Sequence, residues 1–208
     1  MSPEASLADL QGPAGNTYDK YGTRNPVARL VVGRFLRAAE AAVEDAGGSS
    51  ILDVGCGEGL LTERIAGLRP GADVVGLDVD DPRLGAEWKQ RRGDNLSFRA
   101  GSAYSLPFKD AAFELVCGFE VLEHLERPAE ALTELARVAS RHLVVSVPRE
   151  PLWRVLNILS LRYLPALGNT PGHVNHWSRA GFVTFVQTAG DVTRVRTPPP
   201  WTIVTVRR

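Results

Sequence analysis

Ile51-Leu52-Asp53-Val54-Gly55-Cys56-Gly57-Glu58-Gly59 is the stretch from which the rest of the chain can be read. A short apolar run ends in an acid and opens into alternating glycines, after which Leu60, Leu61, Ile65 and Leu68 recur at helical spacing. The pattern predicts a strand, a glycine turn and a helix. Glycine has no side chain to hold a ligand off, so backbone N–H groups in such a turn can approach one closely. A dinucleotide fingerprint would need GxGxxG, whereas the third glycine here is Gly59 and position 60 is Leu60. The acid separates the two cases further. A pyrophosphate is held at the positive end of a helix dipole, and Asp53 just ahead of the turn would repel it. A cationic ligand suits that position.

Outward from this turn, strand and helix alternate. Ala72 to Val79 is a second strand that ends in an acid, Asp78. A carboxylate at the tip of the second strand of a βαβ step can accept both hydroxyl hydrogens of a ribose. Asp81-Pro82 starts a polar helix expected to run to about Arg92, Leu96 to Ala100 is a third strand, and Phe113 to Phe119 a fourth. Pro128 to Ala139 carries Leu132, Leu135 and Val138 at helical spacing, and Leu143 to Val147 is a fifth strand. Upstream, Asn25-Pro26 opens a helix with Val27, Leu30, Val31, Phe35 and Ala39 on one face, closed by Gly47-Gly48. Downstream, Ser178 caps a helix bearing Phe182, Phe185 and Val186 and closed by Gly190. Strands Val192 to Arg196 and Thr202 to Val206 follow, joined by Pro198-Pro199-Pro200. The alternation predicts an α/β three-layer sandwich of Rossmann-like type, mostly parallel, with its ligand beyond the carboxyl ends of the strands.

The chain has 208 residues, 44% of them hydrophobic, enough for one domain with a sizeable core. Residues 1–16 read as a mobile tail and 17–208 as the domain. The formal net charge is zero, and the 24 basic residues are scattered rather than striped, which argues against an extended nucleic-acid footprint. The two cysteines, Cys56 and Cys117, fall in apolar or turn segments, so no disulfide framework is expected and a reducing compartment fits. No basic region leads into an apolar run near the start, and no segment reaches transmembrane length. A cytoplasmic protein without stable membrane insertion is expected.

S-adenosylmethionine is a nucleoside that carries positive charge, on its sulfonium and ammonium groups. The Asp53 to Gly59 stretch resembles the first motif of the class I, seven-stranded S-adenosylmethionine-dependent methyltransferases, and the resemblance extends over about Tyr18 to Arg208. It implies a seven-stranded sheet ending in an antiparallel hairpin. It also implies that Asp53 and the Gly55 and Gly57 backbone hold the methionine part, Asp78 the ribose, and Val79, Ser102 and Ala103 the adenine, with Phe119 bordering the cofactor. The family commonly places an acid on the adenine amino group where this chain has Ser102. Tyr18 and Tyr21 are expected near the ligand mouth, as a lid or as ordinary half-buried aromatics.

Two further segments bear on the acceptor. In residues 151–175, Leu152, Trp153, Val155, Leu156, Ile158, Leu159, Leu161, Tyr163, Leu164 and Leu167 leave only a narrow polar stripe of Arg154, Asn157 and Ser160. In a fold of this kind that connection covers the acceptor pocket, so a partly apolar or aromatic acceptor is expected; a helix packed on the core and docking on a membrane surface are the other readings. After the fourth strand come Glu120, Glu123 and His124. If a helix starts there, residues three and four apart share a face and the three side chains converge. The run resembles metal-assisted O-methyltransferases, those of ubiquinone biosynthesis and the small-RNA 2′-O-methyltransferases, in which a later histidine completes a divalent-ion site; in the wider family similar runs brace the helix or line the pocket without a metal. His173 is preferred here over His176, and magnesium or manganese is the expected ion for an oxygen-rich set. Without a metal, His124 or His173 is the candidate base.

The preferred function is transfer of the methyl of S-adenosylmethionine to a partly apolar small molecule at oxygen. A nicotinamide-dependent oxidoreductase and a non-catalytic binding protein of the same fold are the alternatives.

Overall fold

The computed structural model describes residues 26–159 and 163–208. The expected tail at 1–16, the tyrosines Tyr18 and Tyr21, and Ser160 and Leu161 lie outside the described residues.

A seven-stranded sheet runs in the order β3-β2-β1-β4-β5-β7-β6. Strands β1 (Ser50–Val54), β2 (Asp73–Asp78), β3 (Leu96–Ala100), β4 (Phe113–Phe119) and β5 (Ala139–Pro148) are mutually parallel. Strand β7 (Trp201–Arg207) lies antiparallel to β5 and to β6 (Asp191–Arg196), the expected terminal hairpin. The central strands are covered on both faces, which is why they read as nearly continuous apolar runs.

Side chains alternate between two cores. Ile51, Val74, Leu115, Cys117, Val144 and Ile203 face α1 (Pro26–Ala46) and α2 (Leu60–Leu68). Leu52, Val54, Val116, Leu143, Val145 and Val204 face α4 (Pro128–Val138) and α6 (Arg179–Val186). This parity sends Asp53 to the same side as Ile51, toward α2. The Ser178 hydroxyl accepts from the Gly181 N–H and caps α6 as expected. Cys56 and Cys117 are both free, and no helix among the described residues is long and apolar enough to cross a membrane.

Two helices differ from expectation. Helix α1 buries Phe35, Ala39, Ala42, Val43 and Ala46, but Val27 and Leu30 are 67% and 53% exposed. At 21 residues it is roughly 31 Å long, about twice the length of β1, so its first turns extend past the sheet. Helix α3 (Pro82–Trp88) stops short of Arg92. Beyond Trp88 the chain turns, and the Arg91 guanidinium donates to the Glu58 carbonyl.

Candidate active site

Strand order reverses direction between β1 and β4. In an open parallel sheet this is where a crevice forms beyond the carboxyl ends of the strands. The glycine turn after β1 lies on one side of it and the loop after β4 on the other.

All three glycines of the turn have positive φ, 73° at Gly55, 54° at Gly57 and 78° at Gly59, but they are needed for different reasons. A Cβ on Gly55 would lie 2.3 Å from Val121 Cγ2, and one on Gly59 2.6 Å from the Phe98 ring. These two glycines allow neighbours to close on the turn. A Cβ on Gly57 would meet nothing within 4 Å, so Gly57 presents the open face. The Gly55 and Cys56 N–H groups both donate to the Leu77 carbonyl, at 2.7 and 3.1 Å. Gly55 therefore has its N–H committed to Leu77 and its Cα covered by Val121, while Gly57 N–H donates to Asp78 Oδ2 at 2.6 Å.

Asp53 is 2% exposed, and the Thr62 hydroxyl on α2 donates to its Oδ2 at 2.7 Å. Burial pushes its carboxyl up to about 7, the Thr62 hydrogen bond opposes this, and the charge of Asp78 adds to it. Asp78 is also raised by burial, against the hydrogen bonds it accepts from the Gly57 and Val79 N–H groups. Two acids held above the ordinary carboxylate range, near enough for the charge of Asp78 to act on Asp53, have a use for positive charge. Of the residues expected to face the adenine, Val79 is 43% exposed. The Ser102 hydroxyl accepts from the Tyr104 N–H at 3.2 Å, and Ala103 packs on the α4-side core. The Phe119 ring is turned into the α1-side core, edge-on to Phe35, so its main chain, not its side chain, borders the crevice.

The loop after β4 corrects the expected helix. Glu120 is in the left-handed region at φ 58°, and only one 3-10 turn, Leu122–His124, follows. Glu120 accepts a hydrogen bond from the Trp201 indole and does not converge with the others. Glu123, His124 and His173 do come together, each with one potential ligand atom within 4.8 Å of the other two. The loop that carries His173 is fastened to this turn: Val174 N–H and Asn175 N–H donate to the Glu123 carbonyl, and the Asn175 side chain donates to the Leu122 and Leu125 carbonyls. His124 Nδ1 lies 3.0 Å from the Gly172 carbonyl. A carbonyl can only accept, so Nδ1 carries the hydrogen and neutral His124 has Nε2 as its acceptor. His176 is elsewhere, between Arg154 and Asn169. Its pKa is lowered by burial and by the Arg154 charge.

Helix α5 (Leu152–Leu159) is fastened through its polar stripe. Asn157 donates to the Gly168 carbonyl and to the Thr170 hydroxyl, Arg154 approaches Glu150, and the Trp153 indole donates to Thr170 at 2.8 Å. The polar residues pin the segment down, while Val155, Leu156, Ile158 and Leu159 are exposed. Trp153 packs against both His173 and Trp201, with ring centroids 6.0 and 5.6 Å away. Sequence reasoning missed Thr62, Trp88, Trp153's partners, Asn175 and Trp201. Thr62 alone left a trace, a polar residue on the buried face of an apolar helix.

A family model described as a methyltransferase domain matches residues 52–142. An uncharacterized methyltransferase of Schizosaccharomyces pombe is 42% identical over 97 residues, 42% of this chain and 35% of that protein, so the match spans about a third of that relative's length. The ubiquinone biosynthesis O-methyltransferase of Roseobacter denitrificans is 27% identical over 196 residues, 86% of this chain and 76% of that protein. The demethylmenaquinone methyltransferase of Lactiplantibacillus plantarum is 34% identical over 157 residues, 70% and 66% of the two. The magnesium protoporphyrin IX methyltransferase from Synechocystis PCC 6803 with bound SAH superimposes with a TM-score of 0.67 at 23% identity, over 90% of this chain and 89% of that one, a likeness of fold. With the acid-and-glycine turn, the second acid on β2, the seven-stranded order and these relatives taken together, the chain belongs to the class I S-adenosylmethionine-dependent methyltransferases.

Proposed function

We propose that this chain transfers the methyl of S-adenosylmethionine to an oxygen of a partly apolar, ring-bearing small molecule of quinol type. The observation that carries the cofactor half is the pair of acids, buried Asp53 and half-buried Asp78, the latter accepting from the N–H of Gly57, whose open face lies beside it. Asp53 meets the cationic methionine part, Asp78 the ribose hydroxyls, and Val79, Ser102 and Ala103 the adenine.

The choice of oxygen rests on His124. In the transfer the methyl carbon leaves sulfur, which keeps the bonding pair, and bonds to the acceptor oxygen, whose proton must go to a base. With Nδ1–H directed at the Gly172 carbonyl, His124 Nε2 can take that proton, and His173 stands edge-on beside it, ring centroids 4.8 Å apart. The quinone-related names of two relatives support the acceptor class, one O-methylating by its name and one acting on demethylmenaquinone. The aromatic and apolar side chains of α5 support an apolar acceptor.

A second reading keeps a divalent ion, because Glu123, His124 and His173 offer three ligand atoms in one place. With Glu120 held by Trp201, the set is one carboxylate and two imidazoles. That suits zinc, manganese or iron better than magnesium. Such an ion would lower the pKa of an acceptor hydroxyl. The zero net charge gives no footing for nucleic acid, and two free cysteines fit a cytoplasmic location.

The test is product mass after incubation with S-adenosylmethionine and a panel of phenols and quinols, with and without chelator. A gain of one methyl at oxygen, abolished in His124→Ala, is expected. Full activity in chelator would discard the ion, and methylation at carbon or nitrogen would overturn the assignment to oxygen.

A further inference from the structure

The glycine turn is also held from its outer side, by residues with no part in the cofactor contacts described above. The Trp88 indole N–H, at the last position of α3, donates to the Gly57 carbonyl at 2.8 Å. Two residues on from Lys89, Arg91 donates to the next carbonyl, that of Glu58, at 2.8 Å. The Trp88 ring lies parallel to Phe98, centroids 5.3 Å apart and planes 7° apart. Phe98 in turn fills the space that side chains at Gly59 and Gly76 would need. Gly57 is thus fixed from both sides, its N–H by Asp78 and its carbonyl by Trp88.

The carbonyl of Gly57 belongs to the peptide that also carries the Glu58 N–H. Gly57 sits at φ 54°, and a glycine has other broad ranges of conformation open to it, so the 57–58 peptide is free to rotate unless something holds it. The indole bond selects one orientation. It thereby sets where the Glu58 N–H points and keeps the bare Cα of Gly57 toward the crevice.

We propose that Trp88 is a positioning residue for the cofactor, locking the 57–58 peptide so that the turn and Asp78 are arranged for S-adenosylmethionine before it binds. This rests on the cofactor reading above. An ordered turn costs less to bind than one that must be ordered by the ligand.

The experiment compares S-adenosylhomocysteine affinity by calorimetry with the ligand-free urea midpoint in three proteins. They are the wild type, Trp88→Phe, which keeps a ring on Phe98 but cannot donate, and the chain with benzothienylalanine replacing Trp88, which keeps the two-ring shape and lacks the N–H. The expected result is an affinity loss of about tenfold in both variants, the scale of one hydrogen bond, with the urea midpoint of the benzothienylalanine protein at the wild-type value. Wild-type affinity in that protein would overturn the role, as would a loss of affinity matched by a loss of stability. A wild type that does not bind S-adenosylhomocysteine at all would instead remove the cofactor reading, and this role with it.

Discussion

At Asp53 a carboxyl is held up to about 7, against an ordinary value of 3.8. Between those values the folded chain keeps a proton that the unfolded chain has lost, so the stability from this group falls as pH rises through the window and is level above it. A cationic cofactor favours the ionised form. Affinity for S-adenosylhomocysteine, whose ammonium remains, should therefore rise by up to about tenfold per pH unit below 7 and level off above; calorimetry across about pH 5.5 to 8 measures this, and Asp53→Asn should flatten the slope. Asp78→Ala should weaken the same ligand by roughly 1.5–3 kcal/mol, the scale of hydrogen bonds to a charged group. The glycines separate fold from function. Gly57→Val places its side chain in open space at positive φ, so it should cost about 1–2 kcal/mol of stability and more than Asp78→Ala in binding. Gly55→Ala drives a methyl into Val121 and should unfold at clearly lower urea than Gly57→Val. Equal urea midpoints for the two would show that the Val121 contact is easily relieved.

At the scale of the element, α5 is held by its polar side and leaves its apolar side open. None of its side chains is buried, whereas Leu143 to Val147 in β5 are almost wholly so. An element with few buried contacts opens more readily than the sheet. Backbone amides of 152–159 should exchange faster than those of 143–147 in the ligand-free protein and slow down when an acceptor binds. Equal protection of the two segments without acceptor would make α5 part of the core and place the acceptor elsewhere. The Leu122–His124 turn behaves in the opposite way: its Glu123 carbonyl accepts from the Val174 and Asn175 N–H groups, and the Asn175 side chain donates to the Leu122 and Leu125 carbonyls, so the two histidines are presented from a fastened base.

For the whole molecule, the sheet order places both motifs at one crevice, and Val121 packing on Gly55 joins them. A ligand there contacts turns from β1, β2 and β4 at once and stabilises the folded state as a unit. At a hundred times its dissociation constant, S-adenosylhomocysteine should contribute about 2.7 kcal/mol and raise the thermal midpoint by about 5–10 °C for a chain of this size. No shift at that concentration would contradict the cofactor site.

The order of strands and helices and the two acids at strand ends were legible in the sequence because each rests on short-range rules, whereas the terminal hairpin was legible only through likeness to a family. Apolar periodicity marked β1 to β7, and an acid at a strand end followed by glycines marked Asp53 and Asp78. Proline and serine caps marked the helix starts at Pro26, Pro82 and Arg179. The meeting of His173 with Glu123 and His124 was legible only as residue types, by likeness to other chains. What the sequence could not supply depends on where distant side chains meet. Glu120 leaves the cluster because the chain turns left-handed there and the Trp201 indole holds it. The polar stripe of α5 faces inward because Gly168 and Thr170 supply its partners, and Gly57 is fixed by a tryptophan 31 positions away. Those choices were decided by tertiary structure, since a buried donor or acceptor takes whichever partner the packed fold brings within reach.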